Sequence, residues 1–192
     1  QHDSCPIPSI SVRELLADAA EPVKLDLVAG GEGLDNILNR SSVQKPGLAL
    51  TGVLEYIHPG CIQVLGRTEI TFLIERPPVE RTRILSQLCR QGGTCFVVAS
   101  GLEPPPELLA ESDSHNVPLL RTELASSPTV DHLTRYLEDR LAPRAVIHGV
   151  LLDIYGLGVL LLGESGVGKS ESALDLVFRG HRLVSDDVVE IK

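Results

Sequence analysis

The sequence predicts an α/β protein of two domains, the first with a mostly parallel sheet and the second built around a phosphate-binding loop. Three observations carry this. Up to residue 141, short apolar runs alternate with amphipathic ones, each closed by glycine or proline. At "LAPR" (Leu141–Arg144) that rhythm stops, and two apolar runs follow one another with no helix between them. The second, "GVLLL", leads directly into "GESGVGKSES" and an amphipathic stretch. Strands separated by helices pack as an α/β layer, which sets the class.

Each element of the first domain, residues 1–141, has a local reason. "SVRE" at Ser11–Glu14 is a capping box that opens the helix "SVRELLADA". "VKLDLVAG" alternates apolar and polar residues up to Gly30 and reads as a strand. "LALTG" and "CIQVLG" are short apolar runs ended by glycine, again strand-like. "PPVERTRILSQLCRQGG" begins on prolines, ends on Gly92-Gly93 and lines Ile84, Leu85 and Leu88 along one face, the pattern of a helix. "TCFVVASG" is a buried strand, "PPPELLAES" a proline-started helix and "VPLLRT" a strand. "SPTVDHLTRYLEDRL" places Val130, Leu133, Leu137 and Leu141 at helical spacing. Pro143 then stops the helix and marks the domain boundary.

The second domain, residues 142–192, opens with the strands "AVIHGVLLDIYG" and "GVLLLG", joined by a hairpin-type turn at Gly156-Leu157-Gly158. After the loop, Ala173, Leu174, Val177 and Phe178 form the apolar stripe of a helix that ends at Gly180. "HRLVSDD" reads as a strand with Asp186 and Asp187 at its end.

Composition narrows the function classes. A formal charge of −9 opposes nonspecific attraction to nucleic acid or anionic membrane, and 3% aromatic residues leave little for base stacking. No apolar run approaches the roughly 18 residues of a membrane span, and no signal segment opens the chain. The absence of Met leads to the expectation that the native N-terminus is missing or processed. Cys5, Cys61, Cys89 and Cys95 have no CxxC spacing and read as reduced, cytosolic thiols, with Cys61 and Cys95 buried in strands. The six histidines include no pair at zinc-site spacing.

Chemistry concentrates in Gly163-Glu164-Ser165-Gly166-Val167-Gly168-Lys169-Ser170, a full match to G-x-x-x-x-G-K-[ST]. Gly163, Gly166 and Gly168 let the chain wrap with its N–H groups inward as an anion nest. The helix that follows aims its positive end at the same point. Lys169 brings a charge to the β- and γ-phosphates, and the Ser170 hydroxyl can ligate Mg²⁺. The flanking strand and helix argue against a chance match. Glu164, an acid beside phosphates, is expected to face solvent. Asp186 and Asp187 read either as a solvated turn or as the end of a strand beside the phosphate-loop strand. In the second case one carboxylate faces the γ-phosphate, to hold Mg²⁺ or accept a proton, and the other faces away. By itself His148 reads as a core or edge histidine.

The stretch "HGVLLDIYGLGVLLLGESGVGKSESALDLVFRGHRLVSDDVVEI" closely resembles the catalytic domain of bacterial HPr kinase/phosphorylase. Upstream, "KPGLALTG", "IQVLGRTE" and "RYLEDRLAP" resemble the family's N-terminal domain, so the likeness covers nearly the whole chain. The resemblance implies a bifunctional enzyme. It would transfer phosphate from ATP, or pyrophosphate, to a serine of the phosphocarrier protein HPr, and remove it again with inorganic phosphate. It implies a phosphate-loop domain similar to phosphoenolpyruvate carboxykinase, a homohexamer, a cytoplasmic setting and Mg²⁺. It makes Lys169 the loop lysine, Ser170 the metal ligand and His148 a catalytic-site residue near the phosphates. Within the Asp pair it favours Asp187 over Asp186 as the group that takes the serine proton.

The family's chain continues past the Asp pair, so the resemblance implies a catalytic domain truncated at Lys192 and inactive alone. The N-terminal domain is expected to serve assembly or regulation. Two other functions fit the loop: a small-molecule kinase, and a nucleotide- or phosphate-sensing regulator without catalysis. Turnover with HPr against small alcohols separates the first. Asp187→Asn separates the second, because a sensor does not need the base.

Overall fold

The computed structural model describes residues 8–18, 23–164 and 166–191, so Cys5 and Ser165 lie outside the described residues. The chain divides into two compact units, Gln1–Leu141 and Ala142–Lys192.

The first unit begins with β1 (Ile10–Ser11) and α1 (Val12–Asp18). The capping box forms: the Ser11 N–H donates to Glu14 Oε2 at 2.7 Å and the Glu14 N–H to Ser11 Oγ at 3.2 Å. β2 (Asp26–Ala29), β3 (Ile37–Leu38) and β4 (Val43–Gln44) follow, with a 3-10 turn at Gly31–Gly33. "LALTG" is not a strand. Gly47–Leu50 form the short helix α2, which buries Ala49 and Leu50 and exposes Leu48. A short apolar run carries no period that separates strand from helix, and here Pro46 starts a helical turn.

Next come β5 (Ile62–Leu65), α3 (Arg67–Ile74), α4 (Pro78–Gly92), β6 (Cys95–Val98), α5 (Pro106–Ser114), β7 (Leu119–Arg121) and α6 (Ser126–Arg140). The sequence pattern gave no sign of α3. It starts where the Gly66 N–H donates to Glu69 Oε2 at 2.9 Å, one half of a capping box, since glycine has no side chain to accept the return bond.

The sheet runs β2-β7-β6-β5-β4, parallel from β7 to β4, with β2 antiparallel at one edge. Its central strands are buried on both faces, as a covered parallel sheet requires. Leu65, Phe96, Val98 and Leu119 pack with Ile84, Leu85, Leu88 and Leu108 of α4 and α5. Ile62, Val64, Cys95, Val97 and Leu120 pack with Val12 and Leu15 of α1 and Leu133 and Leu137 of α6. Cys61, Cys89 and Cys95 are free and buried. Burial, with Glu111 nearby, pushes the Cys89 thiol up to about 12.

The second unit comprises β8 (Ala145–His148), β9 (Val150–Ile154), β10 (Leu157–Leu161), α7 (Lys169–Phe178), β11 (Arg182–Ser185) and β12 (Val188–Ile191). Two antiparallel sheets form, β10-β9-β11 and β12-β8. The first apolar run is thus two strands divided at Gly149. The hairpin turn falls at Tyr155-Gly156, earlier than expected, with φ of 54° and 84°. Two positive φ values make the two-residue turn whose twist suits a hairpin. The Gly156 N–H donates to Asp153 Oδ1 at 2.8 Å and fixes it.

Val150, Leu152 and Ala173 form the small core, joined by Ile154, Leu161, Leu176 and Val177. The α7 stripe therefore runs through Ala173, Leu176 and Val177. Leu174 and Phe178, expected in it, are 54% and 81% exposed. Helical spacing names a face; the surface that α7 meets, on β9 and β11, decides which side chains it covers.

Candidate functional site

β10 delivers the chain to Gly163, and α7 carries it away from Gly168. Gly166 and Gly168 adopt φ of 86° and 91°, backbone that side chains with a Cβ rarely take, so the loop can turn back over the start of α7. Gly168 is the N-cap of α7 and has no side-chain capping bond, which leaves the first N–H groups of the helix for a ligand. Lys169 Nζ donates to the carbonyls of Gly163 at 2.7 Å and Glu164 at 2.8 Å. These bonds hold the amine across the loop. Glu164 and Ser170 are exposed.

Asp186 and Asp187 sit elsewhere than on the extended end of a strand beside β10. β11 pairs with β9, so β9 lies between it and the phosphate-loop strand. The two acids form the corner at which the chain leaves β11 and enters β12, in the other sheet. Asp187 has φ 79°, so the alternation of an extended chain does not apply to the pair. The Ser185 hydroxyl donates to the Val188 carbonyl at 2.7 Å and closes the corner. Sequence reasoning passed over Ser185; a serine ahead of two aspartates is a turn signal that points to it.

His148 ends β8, opposite Val188 of β12. That register brings its Nδ1 to 4.0 Å from Asp187 Oδ1, with both side chains largely exposed. The Gly149 N–H donates to the Asp187 carbonyl at 3.1 Å. The structure therefore assembles His148 with Asp187 on one corner, and Lys169 with the loop carbonyls on the other element.

Among the described residues no group of three or more His, Cys, Asp and Glu side chains is placed to hold a metal ion. Mg²⁺ bound with phosphates keeps several waters and takes one or two protein ligands. The exposed Ser170 hydroxyl in the first turn of α7 suits that role. No described helix is long and apolar enough to cross a membrane.

Comparison with known proteins gives a consistent result. The family model for the HPr Serine kinase N terminus matches residues 10–137, and that for the HPr Serine kinase C-terminal domain matches residues 139–192. An HPr kinase/phosphorylase of Geobacter sulfurreducens is 48% identical over 184 residues, covering 96% of this chain and 58% of the relative. One of Halalkalibacterium halodurans is 45% identical over 175 residues, 91% of this chain and 56% of the relative. One of Listeria monocytogenes is 45% identical over 184 residues, 96% and 58%. The chain thus spans less than three fifths of the length of these relatives.

Proposed function

Because the chain belongs to the HPr serine kinase family, we propose that it serves a bifunctional protein-serine kinase and phosphorylase. A phosphoryl group passes from ATP or pyrophosphate to a serine of HPr, and from that serine back to inorganic phosphate. The observation that carries this reading is the pairing of a phosphate loop with an acid corner in one small unit. A general sensor of nucleotides needs only the loop.

In this reading the N–H groups at the start of α7 and the Lys169 amine hold the phosphates and spread their negative charge. Mg²⁺, when bound, adds charge neutralisation at the phosphates, with Ser170 as its protein ligand. Gly163, Glu164, Ser165, Gly166, Val167 and Gly168 form the rest of the cradle. Asp187 takes the proton of the substrate serine and returns it in the reverse direction. Asp186, its neighbour on the corner, supports it with charge. His148 lies against Asp187 and the phosphates. β9 lies between β10, which leads into the loop, and β11, which follows α7, and is antiparallel to both; this supports a likeness to phosphoenolpyruvate carboxykinase over the all-parallel βαβ unit of other phosphate-loop folds.

Residues 1–141 form the assembly or regulatory domain and residues 142–192 the opening part of the catalytic domain. Exposed Val146, Leu174, Phe178 and Val184 support further covering of this unit by protein, in keeping with a homohexamer. Buried free thiols support a cytoplasmic setting. The net charge supports a protein partner over nucleic acid or membrane.

The test uses the full-length gene product with Mg-ATP and purified HPr, and mass spectrometry of HPr. Phosphoserine on HPr, lost on addition of excess inorganic phosphate with release of pyrophosphate, is the expected result. Unmodified HPr alongside phosphorylated small alcohols would refute it.

A further inference from the structure

Two chain crossings join the small sheets of the second unit. β8 passes to β9 through Gly149, and β11 passes to β12 through Asp186 and Asp187. The crossings are tied to each other, since the Gly149 N–H is donated to the Asp187 carbonyl at 3.1 Å. On its other side Gly149 lies against the end of β10. A Cβ placed there would stand 2.7 Å from the Leu161 carbonyl oxygen and 3.0 Å from Leu162 Cδ2. Its φ is not in the left-handed region, so conformation does not demand glycine; space does. Leu161 is the last residue of β10, two positions before the phosphate loop opens at Gly163.

From this contact we infer that Gly149 is a positioning residue. Acting through its backbone alone, it sets the separation between Asp187 and the phosphate loop. The inference rests on the reading of Asp187 as the carboxylate that faces the phosphates. A methyl group at 149 meets a main-chain oxygen, which cannot swing aside as a side chain does. Either the end of β10 moves away or the bond to the Asp187 carbonyl opens. Both changes displace the acid from the loop, and proton transfer depends steeply on such distances.

A double-mutant cycle on the 192-residue chain tests this, with Mg-ATP affinity by calorimetry as the readout. In the unsubstituted chain, Asp187→Asn removes one negative charge near the phosphates and tightens Mg-ATP binding about three- to tenfold. In Gly149→Ala the same change has less than half that effect on a logarithmic scale, because the acid is no longer held near the loop. Gly158→Ala is the control: its Cβ meets only Leu151 Cδ1 at 3.9 Å, and it leaves the Asp187→Asn effect intact. A general loss of stability would weaken binding in all Gly149→Ala proteins without changing the Asp187→Asn ratio.

An undiminished ratio overturns the role of Gly149 and leaves the reading of Asp187 standing. No effect of Asp187→Asn in the unsubstituted chain overturns that reading. If Gly149→Ala does not fold, amide exchange in the unsubstituted chain decides. Mg-ATP should slow exchange of the Gly149 N–H at least about fivefold, and unchanged exchange refutes a coupled corner and loop.

Discussion

Lys169→Met gives the most direct test of the loop. An ammonium has three protons, and the carbonyls of Gly163 and Glu164 take two of them at 2.7 and 2.8 Å. The third remains for a phosphate oxygen, so ligand binding breaks no existing bond of the amine. One hydrogen bond between charged groups contributes about 1.5–3 kcal/mol. Methionine keeps the side chain out to its ε-carbon and removes that bond, so Mg-ATP affinity should fall about ten- to 150-fold by the tenfold-per-1.4 kcal/mol rule. Folding should change little, by less than about 1 kcal/mol, because water replaces the amine at two exposed carbonyls. Lys169→Arg should recover part of the loss, since it restores the charge but presents a flat fork where three tetrahedral protons fit. Calorimetric titration with Mg-ATP and thermal melts of the same samples give both quantities. Affinity within twofold of the unsubstituted chain would show that the amine does not meet the phosphates. A collapse in melting temperature would show that it serves the fold.

Two further outcomes concern the first unit. Asn36 Nδ2 donates to the carbonyls of Thr94 at 3.2 Å and Asn116 at 2.9 Å, bracing three loops. Asn36→Ala leaves both oxygens short of a partner and should destabilise the unit by about 1–3 kcal/mol in urea unfolding; no change in midpoint would mean that water replaces the amide. The Glu14 carboxyl lies below its ordinary value of 4.5, chiefly because the Ser11 backbone N–H donates to it, and then the Ser11 hydroxyl. A lowered folded value gives a contribution present above the unfolded value and lost as pH falls through the folded one. Glu14→Gln should therefore lower the urea midpoint at pH 7 and leave it unchanged near pH 2, and an equal deficit at both would refute the cap as the cause.

How much of this was legible in the sequence follows the range of the physics involved. The turn at Gly166 and Gly168 and the start of α7 at Lys169 were legible, because glycines, lysine and the helix start act within a few positions of each other. The central strands of the first unit were readable because burial on both faces makes them continuous apolar runs. α2 was not, since four residues hold barely one helical turn and no period. The hairpin was misplaced because a tyrosine, Tyr155, takes a left-handed position that glycine usually fills. Leu174 and Phe178 were misjudged because exposure depends on what α7 packs against, which no local pattern reports.

The placement of Asp187 was the least legible and matters most. Its position depends on pairings far apart in sequence, β12 with β8 and β11 with β9. The sequence left two readings open, a solvated turn or a carboxylate carried on a strand next to the phosphate loop. The structure puts it on a corner between sheets, where three segments meet: the end of β8, the turn into β12 and the base of β10. A strand would hold the acid rigidly at one height beside the loop. A corner tied by single bonds, Gly149 to Asp187 and Ser185 to Val188, leaves its separation from the loop to a few contacts. If Asp187 serves as proposed, taking a proton in one direction and returning it in the other, it gains from such a mounting. Small shifts at the corner then alter proton transfer without disturbing the cradle that holds the phosphates.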